Sequence, residues 1–205
     1  MPLKLAVLVS GRGSNLEAIL KAIRNGALDA TVEVVISNKP EVKALDIARE
    51  HGIKTVTIES AGVTRKEHEE RVVAELQTHV IDFIVLAGYM RVLSPYFLGH
   101  FKDSAGLFKI INIHPSFLPA FPGKDAYADA FTAGVQESGI TIHLVDEEVD
   151  HGPILAQRKF PRQANDTLES FKSRGLALEH VLFPEVLQRI ASVGLASILG
   201  EQVRS

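Results

Sequence analysis

The sequence predicts an α/β protein built on a doubly wound, mainly parallel β-sheet flanked by helices. Short runs rich in Val, Ile and Leu alternate with segments whose apolar residues recur at helical spacing, which is the pattern of strand–helix–strand units. Two of the runs, 83–87 and 110–113, are apolar throughout or nearly so. Strands covered by helices on both faces have this composition, so a parallel sheet is expected.

The elements follow one another in a regular order along the first two-thirds of the chain. Each predicted strand is a short apolar run, and glycines such as Gly26 and Gly52 stand where helices are expected to end. The predicted strands are 3–9, 32–36, 54–58, 83–87 and 110–113, and the predicted helices are 16–25, 41–51, 65–80, 94–101 and 126–135.

The last third of the chain departs from this alternation. Two strands, 140–145 and 154–160, are separated by an acidic loop and are expected to extend the sheet as a hairpin-like pair. A long helix over 168–190 is predicted to be kinked or broken near Pro184. No repeat or linker is visible, so we expect a single domain, 1–205, made of two halves, 1–110 and 111–205.

Composition excludes several classes of function. The formal net charge of −3 and the lack of a Lys/Arg cluster argue against a nucleic-acid partner. With no cysteine, disulfides and thiolate metal sites are excluded. Neither a signal peptide nor a run of about 20 apolar residues is present, so we expect a cytoplasmic protein with no membrane association.

A glycine-containing turn, Gly11-Arg12-Gly13-Ser14-Asn15, lies between the first strand and the first helix. Small residues let backbone N–H groups approach an anion, and the helix dipole favours negative charge there. A dinucleotide fingerprint fits badly, because Leu16 replaces the third glycine and no acidic residue follows the second strand. The turn therefore predicts a phosphate monoester site. The alternative is a tight turn capped by Ser14.

The strongest candidates for catalysis follow the strand at 110–113. Strand alternation places Asn112 and His114 on one face, and ligands of such sheets collect at the carboxyl ends of strands. Together they offer an amide donor and a titrating imidazole, which can stabilise an oxyanion and move a proton. A histidine with a structural role is the alternative for His114. His143, on a later strand, either lines the site or packs.

The acidic loop supplies the third candidate. One of its carboxylates is expected to face the imidazole and favour the protonated ring, and Asp150 is the best placed, although such a loop is often only solvated. Histidine pairs with metal-binding spacing do not occur, so no metal is predicted.

Taken together, these segments resemble the folate-dependent glycinamide ribonucleotide (phosphoribosylglycinamide) formyltransferases over nearly the whole chain. Four segments carry the resemblance: 10–16; 86–91 together with 93–94; 112–116 together with 118–119 and 122–123; and 150–153. The second and third segments are shared by folate formyltransferases at large. The first segment, so near the N-terminus, is similar to the enzymes that act on glycinamide ribonucleotide.

The resemblance implies an activity and a set of site residues. The enzyme would transfer the formyl group of 10-formyltetrahydrofolate to the amine of 5-phosphoribosylglycinamide in de novo purine biosynthesis, through a tetrahedral intermediate and without a metal. Residues 1–110 would form a Rossmann-like, phosphate-binding half and 111–205 the catalytic and folate-binding half, in a monomer or homodimer. The implied residues are the catalytic trio Asn112, His114 and Asp150; Gly13, Ser14, Asn15 and Glu179 for the ribonucleotide; and Arg65, Met90, Arg91, Val92, Leu93, Asn112, Asp146, Glu147, Glu148, Val149 and Asp150 for folate.

Departures from the family pattern are few and spare the trio. Arg12 stands where many members carry Asn, Ala120-Phe121 where others have a Lys-Tyr pair, and His151 where Gly or Thr is frequent, so ligand affinity is the property we expect them to affect.

Three other functions compete with this one. Formyltetrahydrofolate hydrolase resembles the chain through the same trio, but would carry a regulatory domain before the first strand. Methionyl-tRNA formyltransferase would carry a basic C-terminal RNA-binding domain. A module that binds folate or nucleotide without turnover is the third possibility.

Overall fold

The structure is a computed structural model that describes residues 1–202. Its strands are β1 (Leu3–Val9), β2 (Ala30–Ser37), β3 (Thr55–Thr57), β4 (Phe83–Leu86), β5 (Ile110–His114), β6 (Glu137–Leu144) and β7 (Ile154–Pro161). Its helices are α1 (Ser14–Arg24), α2 (Lys43–Glu50), α3 (Arg65–Leu76), α4 (Pro95–Gly99), α5 (Ala126–Thr132), α6 (Leu168–Val193) and α7 (Leu195–Gln202).

The strand order in the sheet is β3-β2-β1-β4-β5-β6-β7. β1 pairs in parallel with β2 and β4, and β2 pairs in parallel with β3. β6 and β7 pair antiparallel, as the predicted hairpin-like extension requires. The predicted α/β class with a mainly parallel sheet is confirmed.

The chain divides into two compact units, Met1–Ile111 and a second that begins at Asn112. In the first unit, the last five residues of β1 and all of β4 are buried, which explains their apolar composition. α1 turns Leu16, Ile19 and Leu20 inward. The sequence-based assignment of the two halves to different ligands stays a prediction.

In the second unit, an aromatic cluster packs the helices against the hairpin. Phe171 of α6 is fully buried, and its ring lies 5.0 Å from that of Phe160 on β7 and 5.7 Å from that of Phe131 on α5. Such aromatic contacts add to the stability gained by burial of apolar area.

The structure differs from the predicted helices in two places. α6 continues through Pro184, so the predicted break does not occur there, whereas a kink stays a prediction. Proline removes one backbone hydrogen bond, but burial of Phe183 and Leu187 stabilises this part of the helix. α7 was not predicted, because its eight residues follow directly after Gly194. None of the helices within residues 1–202 combines the length and hydropathy needed to cross a membrane.

Candidate active site

The turn between β1 and α1 is shaped by Gly13. Gly13 is the N-cap of α1 with φ 78°, and no side chain caps the helix there, so the alternative of a Ser14 cap is wrong. A Cβ on Gly13 would lie 2.7 Å from Cα of Ala44. A left-handed φ and this contact both require glycine. The N–H groups of the first helical turn, beginning with those of Ser14 and Asn15, suit an anion.

The predicted catalytic side chains of the second unit lie together. β5 carries Asn112 and His114, and the β6–β7 loop carries Asp150. His114 Nδ1 lies 3.3 Å from Asp150 Oδ2, and both side chains are almost fully buried. His143 on β6 joins them: its Nε2 lies 3.2 Å from Asn112 Nδ2 and 3.8 Å from Asp150 Oδ1.

His114 is held through both ring nitrogens. Its Nε2 lies 2.8 Å from the carbonyl oxygen of Phe121, while Nδ1 faces the Asp150 carboxylate. A carbonyl and a carboxylate only accept hydrogen bonds, and an imidazolium has two N–H donors. His114 therefore faces a hydrogen-bond acceptor at each of its two ring nitrogens.

Asp150 is fixed by its backbone and its neighbours. Its φ is 55°, a left-handed conformation that Asp tolerates better than most residues. The backbone N–H of Gly123 donates to its Oδ2 at 2.7 Å. Two positions later, a Cβ on Gly152 would lie 1.9 Å from the carbonyl oxygen of Leu144, so the loop requires glycine there.

The rest of the acidic loop is more open. Asp146 accepts hydrogen bonds from the backbone of Glu148 and from His151 Nδ1, each within 2.9 Å. That hydrogen bond raises the pKa of His151, which is exposed. Glu147 and Val149 are exposed as well. Of the carboxylates in this loop, only Asp150 lies within ion-pair distance of the predicted catalytic histidine.

The predicted folate segment 90–93 belongs to the first unit. The side chains of Met90 and Val92 are each 56% exposed, whereas Leu93 is buried. The backbone N–H of Met90 donates to the buried Ser10 hydroxyl at 2.8 Å. This segment thus presents side chains to solvent from a fixed backbone.

Two residues of α3 hold the ends of this segment. Buried Glu69 accepts from the backbone N–H of Ser94 at 2.9 Å, accepts from the Ser94 hydroxyl, and pairs with Arg65 Nε at 3.2 Å. Buried His68 lies with Nε2 2.8 Å from the Tyr89 hydroxyl, whose pKa burial raises to about 12. Arg65, a predicted folate ligand, is therefore oriented by Glu69.

Glu179, predicted to bind the ribonucleotide, is buried on α6. The Tyr127 hydroxyl donates to its Oε1 at 2.5 Å. A Cβ on Gly175 would lie 2.3 Å from the Tyr127 ring, so glycine makes room for this contact.

Sequence reasoning missed His68, Glu69 and Tyr127 as supporting residues. The pairing of Glu69 with Arg65 could have been predicted, because Glu69 follows Arg65 by four residues in a predicted helix and side chains at this spacing face each other. No local pattern indicated that His68 and Tyr127 would be buried beside predicted ligand-binding residues.

Burial of two histidines predicts a loss of stability in acid. Burial lowers the pKa of His68 below 6.5, with help from Arg91, and burial also lowers the pKa of His143. Below that pH the unfolded chain binds protons that the folded chain does not, so stability falls by up to about 1.4 kcal/mol per pH unit per histidine. Urea unfolding measures the free energy of unfolding between about pH 7.5 and about pH 5.5. As the pH falls, this free energy should decline less steeply for His68→Gln than for the wild type. An identical decline would contradict the account.

Within residues 1–202, no three His, Asp or Glu side chains are arranged to hold a metal ion. The absence of a metal from the reaction stays a prediction.

Comparison with known proteins identifies the class. Residues 3–187 match the family model described as formyl transferase, and the chain belongs to that family. Members of this family use a formyl folate as co-substrate.

Several of its relatives within the family share one name. The chain is 40% identical to phosphoribosylglycinamide formyltransferase of Bacillus subtilis over 91% of this chain and 94% of that protein. It is 38% identical to the Escherichia coli enzyme of the same name, over 92% and 87% of the two chains. The crystal structure of phosphoribosylglycinamide formyltransferase from Bacillus halodurans superposes with a TM-score of 0.87 at 40% identity, over 93% of this chain and 96% of that one.

Proposed function

We propose that this protein transfers the formyl group of 10-formyltetrahydrofolate to the amine of 5-phosphoribosylglycinamide, a step of purine biosynthesis. The observation that carries the proposal is the buried cluster of Asn112, His114 and Asp150 in a chain of the formyl transferase family. Relatives about 40% identical bear the name of this activity.

The cluster suits direct transfer. The folate supplies an activated formyl group, and the substrate amine attacks its carbon to form a tetrahedral intermediate. Protonated His114 and the Asn112 amide donate hydrogen bonds to the oxyanion as its charge develops. The Asp150 carboxylate, 3.3 Å from Nδ1 of His114, stabilises positive charge on that ring as it donates to the oxyanion. A proton from the attacking amine then reaches N10 of the folate as the C–N10 bond breaks.

The remaining residues would hold the two substrates. We assign the phosphate to the N–H groups around Gly13, Ser14 and Asn15, and other parts of the ribonucleotide to Glu179. Side chains or backbone of Arg65 and 90–93 would contact the folate, and the backbone of 146–150 would bind its pterin. Exposure of Met90 and Val92 supports the folate assignment.

The hydrolase is the main competing function, since the same trio can direct the formyl group to water. The names of the relatives support the transferase. We further propose that the protein acts on these small molecules in the cytoplasm, as a monomer or homodimer.

The proposal is tested by identifying the product. Purified protein is incubated with 10-formyltetrahydrofolate and either 5-phosphoribosylglycinamide or the same riboside without its phosphate, and the acceptor is analysed by mass spectrometry. We expect rapid formylation of the phosphorylated acceptor and much slower formylation of the riboside. The proposal would be overturned if neither acceptor were formylated.

Gly13→Ala should weaken binding of the ribonucleotide. A left-handed φ costs an alanine about 1–2 kcal/mol, and the new methyl group would overlap Ala44, so the phosphate turn must shift. We expect KM for 5-phosphoribosylglycinamide to rise about tenfold or more, with KM for the folate nearly unchanged. Steady-state kinetics with each substrate varied in turn measures both.

Gly11→Ala is the matched control, because a Cβ on Gly11 would meet no atom within 4 Å. Equal effects of the two substitutions would contradict the role of the Gly13 conformation.

A further inference from the structure

His143 is held between a backbone carbonyl and the amide of Asn112. It lies on β6, only 1% exposed, where the pairing register with β7 shifts. Its Nδ1 lies 2.8 Å from the carbonyl oxygen of Leu144, and its Nε2 lies 3.2 Å from Nδ2 of Asn112. Because a carbonyl oxygen only accepts, Nδ1 carries the proton.

The surroundings favour a neutral ring. Burial lowers the pKa of His143, and the neighbouring His114 acts in the same direction. The Leu144 carbonyl, Asp150 and Asp146 oppose this shift, but burial is the largest effect. In the neutral ring with a protonated Nδ1, Nε2 bears a lone pair and can only accept.

This lone pair decides which way the Asn112 amide points. An amide nitrogen facing Nε2 forms a hydrogen bond, whereas an amide oxygen in its place would bring two lone pairs together. Of the two N–H groups on the Asn112 nitrogen, one is used on His143, which leaves the other to donate elsewhere.

We propose that His143 is a positioning residue that fixes the orientation of the Asn112 amide, so that its second N–H is directed at the oxyanion of the reaction. This inference rests on the proposed function, in which Asn112 contacts the reacting oxygen. A donor held in place before the reaction needs no reorganisation as charge develops, which is the main source of such stabilisation.

His143 is poorly suited to transfer protons itself. The proton on Nδ1 is engaged by the Leu144 carbonyl, and Nε2 already accepts from Asn112. A general acid or base at this position would require one of these two hydrogen bonds to break in each turnover.

A double-mutant cycle tests the inference. His143→Leu removes the acceptor, and we expect it to lower kcat about 10–100-fold in the wild-type background. His143→Gln places an amide oxygen near the position of Nε2 and should recover most of that loss. In the Asn112→Ala background, His143→Leu should cost no more than about twofold, because no amide remains to orient. Thermal unfolding of each variant identifies those that do not fold.

An equal loss from His143→Leu in both backgrounds would overturn the inference while leaving the proposed function intact, as would full activity of His143→Leu. Absence of turnover in the wild type would instead refute the proposed function.

A measurement without turnover tests the same point. Nitrogen NMR of protein labelled in its histidines, with His143→Gln used to assign the signal, reports the protonation of each ring nitrogen. We expect a proton on Nδ1 and none on Nε2 at neutral pH. A proton on Nε2 would overturn the inference whatever the activity.

Discussion

Asp150→Asn is expected to lower kcat about 10²–10³-fold while the protein remains folded. Asn is nearly isosteric with Asp and tolerates the left-handed φ of 55° at this position. Its amide oxygen can still accept the N–H of Gly123, so the loop should persist. The substitution removes the carboxylate that stabilises positive charge on the His114 ring, so the ring becomes a weaker hydrogen-bond donor to the oxyanion. Single-turnover kinetics and thermal unfolding measure the two effects separately.

Glu148→Gln is the matched control for Asp150→Asn. It removes one carboxylate from the same loop, but the Glu148 side chain is 76% exposed and does not contact His114. Because the folate assignment uses the backbone of Glu148 and not its side chain, we expect activity close to that of the wild type. A similar loss in both variants would mean that the overall charge of the loop, rather than the Asp150–His114 contact, supports turnover.

His114→Ala is expected to have an effect of comparable size, with kcat reduced on the order of 10²–10³-fold. The substitution removes a cationic donor and leaves the Asp150 carboxylate without its partner at 3.3 Å. KM for the two substrates should change much less, because the proposed phosphate and folate ligands are other residues. Steady-state kinetics with each substrate varied in turn measures both quantities.

His151→Ala provides the control for His114→Ala. It removes a histidine from the same unit, but this side chain is 65% exposed and pairs with Asp146. We expect nearly normal turnover. If His114→Ala retained normal turnover, the assignment of His114 as the oxyanion donor would be wrong.

The sheet was predictable because its strands are chemically distinct from their surroundings. β1 and β4 are buried and therefore apolar, so their positions were found within a residue of the observed ends. The strand carrying Asn112 and His114 was equally clear, and alternation alone placed both side chains on one face. Helix ends were less predictable: α3 stops at Leu76 rather than 80. The hydroxyl of Thr78 donates to the Glu75 carbonyl just beyond that end.

Contacts between distant residues were harder to predict. Asp150 lies 36 residues beyond His114, and four carboxylates share its loop, so sequence alone favoured Asp150 without fixing its contact. In the structure, the left-handed φ of Asp150 and the hydrogen bond from the backbone N–H of Gly123 hold the carboxylate of Asp150 in place. The roles of Tyr127 beside Glu179 and of His143 beside Asn112 depend on tertiary packing, which has no local pattern in the sequence.

The most direct test of the central claim is a spectroscopic assay of folate product formation from 10-formyltetrahydrofolate, run with and without 5-phosphoribosylglycinamide. Direct transfer to the amine predicts turnover only when the ribonucleotide is present, and its loss in Asp150→Asn. Equal turnover without the ribonucleotide would show that water accepts the formyl group and would contradict the account.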